Sequence, residues 1–134
     1  MAVNRRLGGT LFAVVILSAG CLGSSTSAVR ATRDADHFRF DGNFEDRSKR
    51  DEHEWTVTDS DALVSYWAVY SGGSVRLRVL DATGVKAFDK VLQSEPVGFA
   101  KSDGSQPVTG APGVWRFVAD FDHYTGNLTL RVDT

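Results

Sequence analysis

The feature that most constrains the fold is an alternation of apolar and polar residues with a period of two. This is the period of a β-strand that buries one face. Three segments show it: "HFRFDGNF" with Phe38 and Phe40 inward, "SVRLRVLD" with Val75, Leu77 and Val79 inward, and "NLTLRVD" with Leu128, Leu130 and Val132 inward. In the last of these, Thr129 and Arg131 fall on the polar side. The pattern predicts an all-β chain.

Two further segments are apolar on both faces, which is typical of central strands covered on each side. They are "ALVSYWAVY", residues 62–70, and "GVWRFVADF", residues 113–121. Weaker strands are predicted at residues 54–58 and 85–92. The charged run "EDRSKRDEHE", residues 45–54, is predicted to be a solvated loop or hairpin tip.

The segments between strands are rich in turn residues. "SGGS" at 71–74, "DATG" at 81–84 and "YTGN" at 124–127 supply glycine where a tight reversal needs a positive φ. Short strands separated by such turns predict an antiparallel β-sandwich of about seven to eight strands. One irregular edge strand is expected near Val97 to Lys101, because a long structureless loop is unusual in so small a domain.

The N-terminus has the parts of an export signal. Arg5 and Arg6 precede an uncharged apolar segment, residues 7–19, which is too short for a membrane span of about 20 residues. The last signal residues, where a peptidase would cut, are Leu17, Ser18, Ala19 and Gly20. The single cysteine of the chain, Cys21, comes next.

The stretch "LSAGC" resembles the lipobox of bacterial lipoproteins. The resemblance implies that residues 1–20 are a cleaved signal peptide and that Cys21 carries the lipid. It also implies a protein anchored on the exported side of the cell membrane or outer membrane, with Leu22 favouring the outer membrane of a Gram-negative cell. The alternative is an incidental cysteine in a signal that is uncleaved or cleaved elsewhere. Residues 21–36 are small and polar, which predicts a flexible tether before a β-sandwich domain at 37–134.

A second resemblance covers roughly residues 37–134. "TGAPGVWRFVADFDHYTGNLTLRV" and "GSVRLRVLDATG" are similar to hairpins of pre-peptidase C-terminal and GOLD-like β-sandwich domains. These motifs encode turns and core, so the resemblance implies a fold rather than an activity.

Few residues are candidates for chemistry. His37, His53 and His123 are scattered, and no nucleophile elbow, zinc-protease motif or phosphate loop is present. Asp120 and Asp122 share a strand face and could bind an ion, but surface carboxylates are the simpler interpretation. No cofactor or metal is predicted.

Aromatic residues offer the remaining candidate site. Trp55, Trp67 and Trp115 are expected to pack together in the core. The alternative is an aromatic platform for sugar rings, with Tyr66, Trp67 and Tyr70 as candidate ligand contacts.

These observations favour an exported lipoprotein whose β-sandwich is a non-catalytic binding module. The formal net charge of −2 argues against a nucleic-acid partner, whereas an envelope protein or polysaccharide is compatible. The alternatives are a structural or accessory subunit of an envelope complex and a carbohydrate-binding module. A binding module would expose an apolar or aromatic patch, a structural subunit would expose a flat, pairing-competent sheet face or edge, and an enzyme would need a pocket with convergent titratable groups.

Overall fold

The computed structural model describes residues 29–34, 36–95 and 98–134, and within these ranges the chain forms seven β-strands. They are β1 Arg30–Asp34, β2 His37–Arg47, β3 Arg50–Val57, β4 Asp61–Leu80, β5 Lys86–Gln93, β6 Ala100–Thr109 and β7 Gly113–Asp133. Every pairing between them is antiparallel, which confirms the predicted fold class. No helix capable of spanning a membrane occurs in the described ranges. The predicted signal peptide and Cys21 lie outside them.

Two long strands organise the sandwich. β4 and β7 pair with each other from Leu63 opposite Asp133 to Leu80 opposite Arg116, with shifts of register around Gly72. Near Gly72, both strands pass from one sheet into the facing sheet. Sheet I contains β1, β2, the second half of β7, the first half of β4, and β6. Sheet II contains β3, the first half of β7, the second half of β4, and β5.

The core lies between the two sheets and is rich in aromatic rings. Phe38 of sheet I stacks on Trp55 of sheet II, with ring centroids 4.5 Å apart. Phe40 packs against Phe117 across the same interface at 5.1 Å. The inward residues predicted from the alternation are all buried, namely Phe38, Phe40, Val75, Leu77, Val79, Leu128, Leu130 and Val132. Burial of this apolar surface is the main force that holds the two sheets together.

Two of the predicted turns are wrong. "SGGS" lies inside β4 and "YTGN" lies inside β7, so neither reverses the chain. Glycine is needed there for close approach: a Cβ at Gly73, where φ is 67°, would overlap the backbone of Asp122 and His123. A Cβ at Gly126, where φ is 151°, would likewise meet the backbone of Tyr70. The glycines therefore mark the bend between sheets. The predicted turn at "DATG" is present, with Gly84 donating its N–H to the carbonyl of Asp81 at 3.0 Å.

Other boundaries also differ from expectation. Residues 30–34, expected in the tether, form β1 because they pair with β2 from Arg30 opposite Asp41 to Asp34 opposite His37. The edge strand expected at 97–101 is β6, which runs further along the chain, from 100 to 109. The charged run 45–54 is mostly strand, since β2 ends at 47 and β3 begins at 50. Most of its polar residues face solvent from strand positions rather than from a loop, whereas Arg47, Asp51 and His53 are partly buried.

Replacing Gly73 should test the bend. Gly73→Ala should lose about 1–3 kcal/mol from overlap with the facing backbone, added to about 1–2 kcal/mol for a side chain at positive φ. Gly84→Ala is the matched control, because its φ is 83° and nothing lies within 4 Å of the position that a methyl group would occupy; it should show only the second loss. Urea denaturation of both variants measures the difference. Equal losses would show that the bend tolerates a side chain.

His53 of β3 lies at the margin of the core. Its ring is 5.5 Å from that of Phe40, and Arg33 Nη2 donates to its Nδ1 at 3.4 Å. The other ring nitrogen, Nε2, is buried and has no hydrogen-bond partner among the described residues. Burial and then the charge of Arg33 lower the pKa of His53, while Asp51 acts in the opposite direction. Protonation therefore opposes the packing of β3 on sheet I.

The free energy of unfolding should consequently fall as pH drops below about 6.5, because the unfolded chain binds this proton and the folded chain resists it. His53→Gln should weaken that dependence. His123 provides a control of opposite sign, because its hydrogen bond to Asp46 at 2.7 Å raises its pKa. Its protonation therefore stabilises the folded state fully below about pH 6.5, and this stabilisation is lost at higher pH. His123→Gln should steepen the fall. Denaturation series across this pH range measure the slopes; identical slopes in all three proteins would contradict the assignment.

Candidate ligand-binding face

On the outer face of sheet II, the charged side chains form ion pairs with one another. Four arginines there each have a carboxylate within hydrogen-bond distance: Arg50 and Asp120 at 2.6 Å, Arg76 and Asp89 at 2.7 Å, Arg78 and Asp120 at 2.5 Å, and Arg116 and Glu54 at 2.9 Å. The hydrogen bond from Arg76 is the main cause that lowers the pKa of Asp89 to about 2. Charged groups on this face are thus engaged with one another.

Asp120 and Asp122, the candidate ion ligands, have different surroundings. Partial burial acts to raise the pKa of Asp120, but hydrogen bonds from Arg50 and Arg78 outweigh it and the pKa is lowered. Asp122 is exposed and lies 3.9 Å from His123 Nε2. In the described part of the chain, no group of three or more His, Cys, Asp or Glu side chains is arranged to hold a metal ion.

Sheet I has a different outer face, with Trp67 near its centre. Trp67 of β4 stands opposite Thr129 of β7 and Asp103 of β6, and its side chain is 43% exposed. Trp55 and Trp115 are buried in the core with their ring centroids 6.3 Å apart. The expectation that all three tryptophans pack together is therefore wrong for Trp67, because strand alternation places it on the side away from the core.

Two depressions lie on either side of Trp67, and it lines both. One has a volume of about 310 Å³ and is lined by Ser65, Tyr66, Trp67, Asp103, Gly104, Ser105, Thr129 and Arg131. The other, of about 600 Å³, is lined by Val29, Arg30, Asp41, Gly42, Asn43, Trp67, Asn127, Leu128 and Thr129. Apart from Trp67, the outward side chains around them are mostly hydroxyls, amides and charged groups. An exposed ring surrounded by hydrogen-bonding groups suits a ligand with both apolar and polar surfaces.

Several of these side chains are held by the sheet itself. Asn127 Oδ1 accepts the backbone N–H of Val69 at 2.8 Å, which fixes the amide beside the ring. The hydroxyls of Ser65 and Ser105 lie 3.0 Å apart across β4 and β6. Side chains already ordered by the scaffold lose less conformational freedom when a ligand binds.

The three aromatic candidates are not brought together. Tyr70 is buried, with its ring 5.7 Å from that of Tyr124, and burial raises its pKa. Tyr66 packs inward and its ring centroid lies 5.9 Å from that of Phe88. Only Trp67 of the three presents an exposed ring on the outer face, since even and odd positions of β4 point to opposite sides.

The sequence predicts only some of the polar residues on this outer face. Alternation in "NLTLRVD" already placed Thr129 and Arg131 outward. Asp41 and Asp103 could not be assigned to the same surface, because their proximity depends on the pairing of β2 with β7 and of β6 with β4. No local signal encodes those pairings.

Comparison with known proteins gives no family. No protein-family model matches the chain, and no curated protein matches it. Among solved structures, the carbohydrate-binding module CBM6cm-2 from Cellvibrio mixtus lichenase 5A, in complex with cellotriose, has a TM-score of 0.47 and 15% identity, over 82% of this chain and 88% of that one. A CBM4 structure has a TM-score of 0.42 and 11% identity, over 81% and 76% of the two chains.

A family 6 carbohydrate-binding module from Clostridium cellulolyticum, in complex with xylose, has a TM-score of 0.32 and 16% identity, over 78% of this chain and 85% of that one. Because each of these TM-scores is below 0.5, the likenesses carry no argument about what this chain binds. The similarity to pre-peptidase C-terminal and GOLD-like domains stays a prediction from sequence.

Proposed function

We propose that this chain is an exported lipoprotein, anchored through lipid on Cys21, whose β-sandwich binds carbohydrate on the outer face of sheet I without catalysing a reaction. The observation that carries the proposal is the exposed ring of Trp67 among fixed hydrogen-bonding side chains. A sugar ring has apolar C–H faces and a rim of hydroxyls. An indole ring can stack on the former, while amides, hydroxyls and carboxylates pair with the latter.

The position of Trp67 between two depressions favours an extended ligand. A single sugar would occupy one side of the indole, whereas a chain could cross it and enter both. Asp103 lines the smaller depression, Asn127 lines the larger one, and Thr129 lines both. A polysaccharide or oligosaccharide therefore fits better than a monosaccharide.

The sheet edges support a binding module over a structural subunit that assembles by strand pairing. β6, an edge of sheet I, contains Pro107, which has no N–H to donate. β5, an edge of sheet II, carries Lys86, Asp89 and Lys90. Proline and charged residues on edge strands oppose pairing with another chain.

The anchor would hold this face near the membrane. β1 begins at Arg30, nine positions after Cys21, and fully extended chain covers at most about 3.6 Å per residue, or roughly 30 Å. Arg30 also belongs to the row of cross-strand partners that reaches Trp67 through Asp41 and Thr129. The proposed ligand is accordingly a polysaccharide at the surface of the cell membrane or outer membrane.

Truncation of the indole should remove binding while leaving the fold intact. Trp67→Ala should weaken affinity for a bound oligosaccharide by roughly thirtyfold, since loss of a central aromatic in a binding surface costs about 2 kcal/mol or more. Leu63→Ala is the control, because Leu63 lies on the same face of β4 and is 40% exposed. A glycan array identifies the ligand and titration calorimetry measures the two variants. Equal affinities for a glycan in both would refute the site.

The anchor has its own test. In Cys21→Ser the thiol that would receive the lipid is absent, so the precursor should stay uncut, and its intact mass and detergent partitioning should both differ from those of the lipidated parent. Ser24→Ala, three positions beyond the lipobox, should behave as the parent protein. Intact mass and detergent partitioning report the result. A Cys21→Ser protein with unchanged processing and partitioning would exclude lipidation at this residue.

A further inference from the structure

Two arginines stand side by side on the outer face of sheet I. Arg39 of β2 is directly opposite Arg131 of β7, and their side chains are 52% and 54% exposed. Like charges in directly opposite positions of an antiparallel pair destabilise the sheet. An anion bound between the two guanidinium groups would offset this repulsion.

Their contacts with carboxylates are loose. Arg39 Nε lies 3.3 Å from Asp41, and Arg131 Nη2 lies 3.5 Å from Asp133. Asp133 is also shared with His37, whose Nδ1 is 3.1 Å away. Among the described residues, each arginine thus uses one nitrogen in a long contact with a carboxylate, and the remaining donors of each planar guanidinium have no carboxylate partner there.

The outer face of sheet II provides an internal comparison. Its arginines approach their carboxylates to between 2.5 and 2.9 Å, and Arg76 does so through two nitrogens, at 2.9 and 2.7 Å, to the two oxygens of Asp89. The same chain therefore forms tight pairs where an arginine serves the fold. The long contacts of Arg39 and Arg131 mark a pair that is oriented by carboxylates without being saturated by them.

This pair adjoins the indole. Arg131 lines the depression of about 310 Å³ together with Trp67, and Arg39 and Arg131 line a neighbouring depression of about 340 Å³. Thr129, the cross-strand partner of Trp67, precedes Arg131 by two residues. The row that contains Trp67 and Thr129 is therefore about 7 Å along the strand from the row that contains Arg39 and Arg131. An anionic group on a sugar stacked on the indole, or on the next sugar of a chain, would reach the guanidinium groups.

We propose that the ligand of this face is an acidic glycan, whose carboxylate or phosphate oxygens are bound between Arg39 and Arg131 while a sugar ring lies on Trp67. This inference rests on the carbohydrate-binding function proposed above and specifies its substrate class. Guanidinium groups match the planar geometry of such anions and donate charge-assisted hydrogen bonds to them. The formal net charge of the chain is −2, so a preference for acidic polymers would not arise from its overall charge.

The test compares polymers that differ only in charge. The full-length protein, expressed from residue 1 and purified in detergent, is titrated with polygalacturonate and alginate and with their carboxyl-reduced forms. A phosphomannan and its dephosphorylated form make up the phosphate arm. At least one charged polymer should bind roughly ten- to a hundredfold more tightly than its neutral form, the range expected for hydrogen bonds to a charged group. The arm that shows the preference identifies the anion.

Substitutions assign the preference to the pair. The double variant Arg39→Gln and Arg131→Gln should bind the charged polymer as weakly as the neutral one, with affinity for the neutral form unchanged. Arg116→Gln, an exposed arginine on the outer face of sheet II, should retain the full preference.

Two results would overturn the inference while leaving carbohydrate binding intact: equal affinity for charged and neutral forms in both arms, or a charge preference that survives in the double variant. Absence of binding to every polymer, charged or neutral, together with a blank glycan array, would instead refute the proposed function on which the inference rests.

Discussion

The whole sandwich depends on the pairing of β4 with β7. These two strands run side by side through both sheets. Four of the other strands pair directly with one half of β4 or β7, and β1 pairs with β2. Because both strands bend at the same level, the two sheets face each other and enclose the aromatic core. A side chain at Gly73 would press on β7 at this bend. The close backbone approach there is the constraint from which the two-layer architecture follows.

The same bend changes which positions face inward. In the first half of β4 the buried residues are even-numbered, as at Val64 and Ala68, whereas in the second half they are odd-numbered, as at Val75 and Leu77. The change of parity requires an extra residue, and the shifts of register around Gly72 provide it. An inserted residue in a paired strand is a β-bulge, which bends the strand and increases its twist. The bulge thus allows one long strand to bury a continuous apolar surface in two sheets.

Sequence reasoning recovered the strands that alternate, with their inward residues, because alternation is a local property, and it missed β1 because residues 30–34 have no apolar alternation. It failed at the bend because a change of parity beside two glycines is equally compatible with a turn, and only long-range pairing distinguishes the two. It also treated residues 62–70 as covered on both faces, although the outer side is open at Trp67. In β7, by contrast, the outward Val118 is covered: it stands opposite Arg78 and Glu52, whose aliphatic stems can shield it.

The candidate site follows from how the two outer faces use similar side chains. On sheet II, arginines and carboxylates satisfy one another and Val118 between them is shielded, while the exposed apolar residues of this face are the small side chains Val91 and Val114. On sheet I, Trp67 and the Arg39–Arg131 pair are left partly uncovered, although a threonine or serine in place of each would suit a solvated strand. Neighbouring residues still cover more than half of the indole, which restricts its rotation before any ligand arrives. A ring and two guanidinium groups held in this way lose little conformational entropy on binding, so their partial exposure favours recognition.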